Sequence, residues 1–384
     1  MEYTTIGAIN EYGLESINPA LYPDTVFEVY SVPVFETGHP EYLRGEEIGS
    51  TKQIVRKDDV LICKINPRIN RVWVVTDESD KQNIASSEWI VVRNSEYNPE
   101  FLGWYFRSSK FKALMVSEVA GIGGSLTRAQ PKRVAGYPVP LFHRKDQDEI
   151  AQRLNSIMRI IAARQRQIRI LDILIKSRFV EMFGDPEENP FCWEKRLLSE
   201  IIVNANNGIA RRGNDPNGNI VMRLVELQDG YIDYSKPNRI ILNDIEKSRY
   251  NLIDGDFLFA RVNGNPDNVG RCAVFHDIEE SVYHNDHIIR VHFNESMLDG
   301  VFASALINSA YGKRQMKSQI KTSAGQYTIS QDGIGAIVAI VPPIQLQKQF
   351  ADFVFQIDKS KAIVQQAIDK SKCLLNSLMQ QYFG

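Results

Sequence analysis

A chain that repeats its own pattern after half its length is constrained to fold as two versions of one module. Residues 177–184 (Ser-Arg-Phe-Val-Glu-Met-Phe-Gly) return as residues 377–384 (Ser-Leu-Met-Gln-Gln-Tyr-Phe-Gly). At the same spacing of 200 residues, and without a gap, Gln147 matches Gln347, Ala151 matches Ala351 and Ile157 matches Ile357. Ala162/Ala362, Gln165/Gln365, Ile168/Ile368 and Leu174/Leu374 continue the series. Solenoid units run to ~20–50 residues, so this period means duplication of a whole module, a globular part followed by a long helix. Two similar but non-identical modules imply two related tasks at a fixed distance.

The long helices announce themselves by a 4–3 apolar spacing. Ile150, Leu154, Ile157, Ile161, Ile168, Leu171 and Ile175 form one seam; Phe350, Val354, Ile357, Val364, Ile368, Leu375 and Leu378 form the other. Heptad-like packing of this kind marks a helix that pairs with a helix. Arg164 interrupts the first seam, and Lys361 and Ser371 the second, at levels that fix register. Gly184-Asp185-Pro186 predicts a glycine cap and a proline stop for the first helix. About 38 helical residues rise about 57 Å, and antiparallel pairing would place the globular modules at opposite ends. One turn of DNA is ~34–36 Å, so the rod suits two contacts on one duplex.

Within each module the pattern is mixed. Residues 59–65 are apolar and β-branched, 66–70 (Asn-Pro-Arg-Ile-Asn) a turn, and 71–75 a second strand; 256–262, 263–268 and 271–275 copy them. Strands at 89–92 and 288–291 each precede one helix, 101–115 and 301–316. Gly/Ser/Thr loops at 121–127 and 323–328 follow, and proline-bearing strands at 139–141 and 341–343 close each module. The fold class expected is α/β (α+β): two domains of mixed, mainly antiparallel sheet with short helices, separated by an antiparallel coiled coil. The boundaries are 1–137, 138–186, 187–338 and 339–384.

Chemistry is sparse. There is no phosphate-loop signature, no Gly-x-Ser-x-Gly elbow and no Cys-x-x-Cys. Gly121-Ile122-Gly123-Gly124 lacks dinucleotide-fingerprint spacing. Cys63, Cys192, Cys272 and Cys373 are scattered, which fits reduced thiols in a cytoplasm. His284, His287 and His292 read as sheet-edge or turn residues rather than metal ligands. Asn189-Pro190-Phe191 only faintly resembles an amino-methyltransferase motif. No apolar run reaches the ~20 residues a membrane span needs. A net charge of −2 excludes a uniformly basic nucleic-acid binder.

Local charge says more. Lys64, Asn66, Arg68, Asn70, Arg71 and Arg128, with Lys132 and Arg133, sit in or beside turns of the first module. Arg211, Arg212, Arg261, Asn263, Asn265, Gln326 and Tyr327 do so in the second. Lys313, Arg314 and Lys317 cluster on a helix, and Lys321 extends an i, i+4 face. These residue types contact phosphates and base edges.

In the order of globular module, long helix, module and long helix, the chain resembles the specificity (S) subunits of type I restriction–modification systems. The resemblance rests on residues 255–264 (Gly-Asp-Phe-Leu-Phe-Ala-Arg-Val-Asn-Gly), 341–350, the helix ends 177–184 and 377–384, and the first-half strand 59–67. It implies that each globular module is a target-recognition domain reading half of a bipartite, asymmetric sequence in double-stranded DNA. The helices would set the gap and dock two methyltransferase (M) subunits. S-adenosylmethionine, ATP and Mg would be used by the M and restriction (R) subunits, with no catalytic residue, cofactor or metal in this chain and no membrane partner. The second module opens with 193–197 (Trp-Glu-Lys-Arg-Leu), a pattern the family often shows; the first has no obvious counterpart at its start. Base-reading residues differ between family members, so only loop positions carry over. On the residues alone, a self-sufficient DNA methyltransferase or nuclease fragment and a structural coiled-coil adaptor stay open.

Overall fold

The computed structural model describes residues 2–117, 127–323 and 325–384; residues 121–126 and 324 of the two Gly/Ser/Thr loops lie outside them. The chain divides into two units, Met1–Gln165 with Gln366–Gly384, and Arg166–Gln365. Each long helix, Arg144–Phe183 and Ile344–Phe383, is 40 residues long and is divided between the two units.

In the first unit, strand Tyr3–Thr5 pairs antiparallel with Pro138–Pro140. A three-stranded antiparallel sheet sets Val60–Cys63 between Val72–Val74 and Trp89–Val92. Its central strand is buried on both faces, which explains a continuous apolar run where alternation would mark a half-exposed strand. Val60 and Ile62 join the cluster with Phe101, Tyr105 and Leu154, whereas Leu61 and Cys63 pack with Tyr30, Trp73 and Trp89. A five-stranded sheet completes the unit, with Val26–Tyr30 parallel to Gln82–Ala85 and the other pairs antiparallel.

The second unit repeats the skeleton. Glu194–Leu197 pairs with Val338–Val341, and Phe257–Ala260 lies between Cys272–Val274 and Ile288–Phe293. Asn219–Met222 runs parallel to Val282–His284, the counterpart of the first unit's parallel pair. Among the described residues, two additions distinguish it. Ile202–Asn207 extends the main sheet, and a ribbon joins Val262–Asn263, Gln326–Thr328 and Lys321–Ser323.

Single hydrogen bonds confirm that the two units share one design. Ile6 N donates to Tyr137 O at 3.0 Å, as Leu198 N does to Ile337 O at 2.8 Å. Buried Gln147 accepts from Asn98 N and donates to Phe142 O, at 2.8 and 2.9 Å. Buried Gln347 accepts from Asp299 N and donates to Pro342 O, at 2.9 and 2.7 Å. Tyr3–Thr5 is therefore the counterpart of Glu194–Leu197. The sequence hid it because the short strand Tyr-Thr-Thr has neither the tryptophan nor the charges of residues 193–197.

The helix expected at 101–115 is two helices, Pro99–Arg107 and Ser109–Ser117, and that at 301–316 is Gly300–Asn308 and Ala310–Gln319. Ser108 and Ser309 break them. Each is extended, and its hydroxyl accepts from the backbone N–H three residues on, at 3.2 and 3.3 Å. A serine oxygen can replace the missing intrahelical partner, so neither glycine nor proline is needed.

The long helices pair antiparallel in each unit, since rising numbers on one meet falling numbers on the other. In the first unit, Arg153 donates to the Tyr382 hydroxyl at 3.2 Å, and Arg164 to Ala367 O and Ser371 Oγ, both at 2.7 Å. In the second, Lys361 meets Asp172 at 2.8 Å and the Phe179 and Phe350 rings lie 5.6 Å apart. The residues that interrupt the apolar seams thus face polar partners. Ile150, Leu154, Ile157, Ile161, Phe350, Ile357, Val364 and Ile368 are buried. Ile168, Leu171, Ile175, Val354, Leu375 and Leu378 are half-buried. Phe183 and Phe383 end the helices inside the second and first cores, each burial stabilising by about 1.5–3 kcal/mol. Gly184 ends the first helix at φ +75° with its N–H on Val180 O; a Cβ there would meet Pro190 Cγ at 2.4 Å.

Candidate nucleic-acid interface

The turn after Val60–Cys63 is built by two asparagines. Asn66 and Asn70 hold left-handed backbone conformations on either side of Pro67–Ile69, which favours asparagine over most side chains. Arg68 is exposed at its tip, and its side chain makes no hydrogen bond or ion pair among the described residues. Arg71 is half-buried, 3.8 Å from the Glu36 carboxylate. Asn66 N donates to Thr127 O at 2.8 Å, and Ile65 bridges Arg128, so the turn is tied to the segment after the Gly/Ser loop. Lys64 and Arg128 both approach Glu88, at 3.9 and 3.0 Å. Lys132 and Arg133 lie on the short exposed helix Pro131–Val134.

In the second unit the matching place is richer. Arg261 occupies the position of Lys64: its N–H donates to His287 O at 2.7 Å, as Lys64 N–H does to Glu88 O at 3.0 Å. Arg261 Nη1 also donates to Asp286 O at 3.1 Å. Arg212 reaches the same point, donating to Asp286 Oδ1 at 2.7 Å and to His287 Nε2 at 3.0 Å. Beyond Arg261 the ribbon places Asn263 opposite Tyr327, with Gln326 exposed beside it. Asn265 spends its side chain on Asp267 N in the adjoining turn. The structure therefore brings Arg212, Arg261, Asn263, Asn265, Gln326 and Tyr327 together.

The remaining candidates of this unit are each held by a carboxylate. Arg211 turns away from Arg212 to Glu246 and Ile241 O, at 2.8 and 2.7 Å. Lys313 pairs with Asp229 at 2.6 Å, Lys317 with Asp267 at 3.2 Å, and Arg314 with Glu187. Lys321 does not share the face of Lys313 and Lys317, because the helix ends at Gln319 and Lys321 starts a strand. Most of the cations are thus held by carboxylates, and any phosphate that bound there would have to exchange for them. Exposed pairs of this kind are worth about 0–1 kcal/mol, so the exchange is inexpensive.

His287 is the site residue that sequence reasoning passed over; its only signal was its position one strand away from Arg261. The other histidines are structural. His284 stands on Val282–His284, an outer strand of its three-stranded sheet, yet is fully buried, and burial pushes its imidazole down to about 4. His292 lies beside buried Asp256 at 3.6 Å. Asn189, first residue of the segment that resembled a methyltransferase motif, closes both side-chain groups onto the backbone of Trp193. Among the described residues, no group of His, Cys, Asp and Glu side chains is placed to hold a metal ion, and no helix is long and apolar enough to cross a membrane.

No protein-family model matches the chain. The StySPI type I restriction enzyme specificity subunit of Salmonella potsdam is 23% identical over 295 residues, 74% of this chain and 63% of that protein. The EcoKI specificity subunit of Escherichia coli K12 is 22% identical over 294 residues, 73% of this chain. The match spans 63% of the length of each of these relatives. Among solved structures, a chain from work on complex assembly and conformational transition of the type I R-M system matches with a TM-score of 0.58 and 16% identity. It covers all 100% of this chain and 97% of its own. The type I S subunit from M. genitalium matches at 0.56 and 15%, covering 100% and 96%. Those likenesses carry the fold, and the sequence matches are to type I restriction enzyme specificity subunits.

Proposed function

We propose that the chain is a non-catalytic DNA-reading subunit whose two globular modules each recognise one half of a bipartite, asymmetric target. The observation that carries this is one backbone skeleton built twice with different side chains at the same turn. Lys64, Asn66, Arg68 and Arg128 stand there in one unit; Arg212, Arg261, Asn263 and Gln326 in the other. A scaffold that is kept while its polar tips change suits reading two different sequences. Phosphate contacts come from arginine and lysine, and base discrimination from amide and guanidinium groups at groove edges.

The paired helices, 40 residues and thus about 60 Å each, act as the spacer between half-sites and as the platform for two methyltransferase subunits. S-adenosylmethionine chemistry on adenine belongs to those subunits, and ATP-driven translocation and cleavage to restriction subunits. The modules and helices keep the bounds 1–137, 138–186, 187–338 and 339–384. The near-neutral charge of −2 fits an assembly in which partners share the phosphate contacts.

The test is binding to duplex DNA across a salt series. Replacing Arg211, Arg212, Lys313 and Lys317 by alanine should weaken binding and make its salt dependence shallower, because fewer counterions are released. An unchanged slope would instead favour a coiled-coil adaptor that does not touch DNA.

A further inference from the structure

We propose that His287, with Arg212 and Arg261, forms a proton-coupled site for a phosphodiester oxygen in the second unit, so that binding DNA there takes up one proton. The inference rests on the DNA-reading function proposed above and adds its regulation by pH.

The geometry fixes the free state. Arg212 Nη2 lies 3.0 Å from His287 Nε2. A guanidinium only donates, so His287 Nε2 must accept with its lone pair, and the ring is neutral. The charged groups facing it are Arg212, Arg261 and Asp286. Burial, together with the two guanidinium groups, holds the imidazole below its ordinary value against the pull of Asp286. The free site is therefore two fixed cations, one carboxylate and a neutral acceptor that occupies one of the Arg212 donors.

A phosphate oxygen arriving at Arg212 competes with His287 for that N–H. If His287 takes a proton from solvent, Nε2 turns from acceptor to donor, and the oxygen accepts from both side chains. The added negative charge stabilises the imidazolium that the two arginines disfavoured. The bound form then has the higher imidazole pKa, so affinity rises as pH falls through the bound value and levels off below the free value. The gain is at most tenfold per pH unit.

The first unit shows the contrasting arrangement. The position of His287 is taken there by Glu88, whose carboxylate Lys64 and Arg128 approach. That carboxylate stands where the second unit has an imidazole and is the partner of both cations. Proton coupling is thus a property of one module.

The experiment uses the full chain and a fluorescein-labelled mixed-sequence 30-base-pair duplex, with anisotropy read from pH 5.5 to 8 at constant ionic strength. Wild type should tighten by about three- to tenfold on acidification, His287→Gln should lose most of that slope, and His287→Glu should bind more weakly at every pH. In wild type, the His287 ring resonance, assigned by its absence in His287→Gln, should titrate at higher pH when duplex is bound. Binding that is equally pH-dependent in His287→Gln, or a ring midpoint that does not move, overturns the proton coupling while leaving DNA binding intact. No binding of the duplex at any pH overturns the function on which the inference rests.

Discussion

In both units a buried aspartate precedes the central strand, and the two are treated differently. Asp59 accepts from Arg93 Nε and Nη2, both at 2.7 Å, and from Arg56 N at 2.8 Å. Asp256 accepts from Ile253 N at 2.9 Å, but its side-chain partners stand off, His292 at 3.6 Å and Arg290 at 3.8 Å. By strand register His292 is the counterpart of Arg93, since each follows a valine paired with the first residue of the central strand. One unit satisfies its buried carboxylate with a planar fork. The other leaves Asp256 Oδ1 and His292 Nδ1 without a hydrogen-bond partner. The duplicated backbone is thus maintained by its main-chain contacts, and side-chain pairs have been free to diverge even inside the core.

The largest expected effect tests that contrast. Asp59→Asn leaves the Arg93 guanidinium without its buried counter-charge and should destabilise the first unit by about 3–5 kcal/mol. Asp256→Asn removes a poorly paired buried charge and should cost about 1 kcal/mol or less. Hydrogen exchange in Val60–Cys63 and Phe257–Ala260 reads the two units separately; equal losses would break the comparison.

Next come Gln147→Ala and Gln347→Ala, which remove a side-chain device that the units share almost atom for atom. Each leaves buried backbone groups unpaired and should cost about 1–3 kcal/mol, alike in both units. Strongly unequal costs would mean that the common skeleton is not held in a common way.

A pH series sharpens the difference further. Burial raises the Asp256 carboxyl, outweighing the Ile253 N–H, Arg290 and His292. The folded state then holds that proton more tightly than the unfolded chain, whose aspartates titrate near ~3.9. This contribution is full below the unfolded value and is lost as pH rises through the raised folded one. Exchange protection of the second unit should fall over that window, and Asp256→Asn should flatten the change. The smallest effect is His292→Arg, which rebuilds the fork of the first unit and should stabilise the second by about 1 kcal/mol. A destabilised variant would show that the surrounding residues cannot accept a guanidinium.

How far the sequence speaks follows from the range of each interaction. The helix seams are legible because one period of 3.5 residues sorts Ile150 and Leu154 from exposed Ile170 and Ile173. The strand at 60–63 is legible because it is buried on both faces. Tyr3–Thr5 is not, since its partner Pro138–Pro140 lies far along the chain and three residues hold no periodic signal. The helix breaks are hidden because serine at 108 and 309 acts through its hydroxyl, not through a forbidden backbone. At the interface, residue types are legible but their state is not. Arg211 and Arg212 are neighbours in sequence, yet Glu246 and Asp286 draw them to different places. His287 gains its role only through strand pairing.

The spacer claim is tested most directly by inserting one heptad into both long helices at matching levels and mapping the DNA bases methylated when the chain is made with a methyltransferase subunit of the kind proposed above. The account predicts that both half-sites are kept while the gap between them lengthens by about three base pairs, the rise of seven helical residues. An unchanged gap, or altered half-sites, would contradict it.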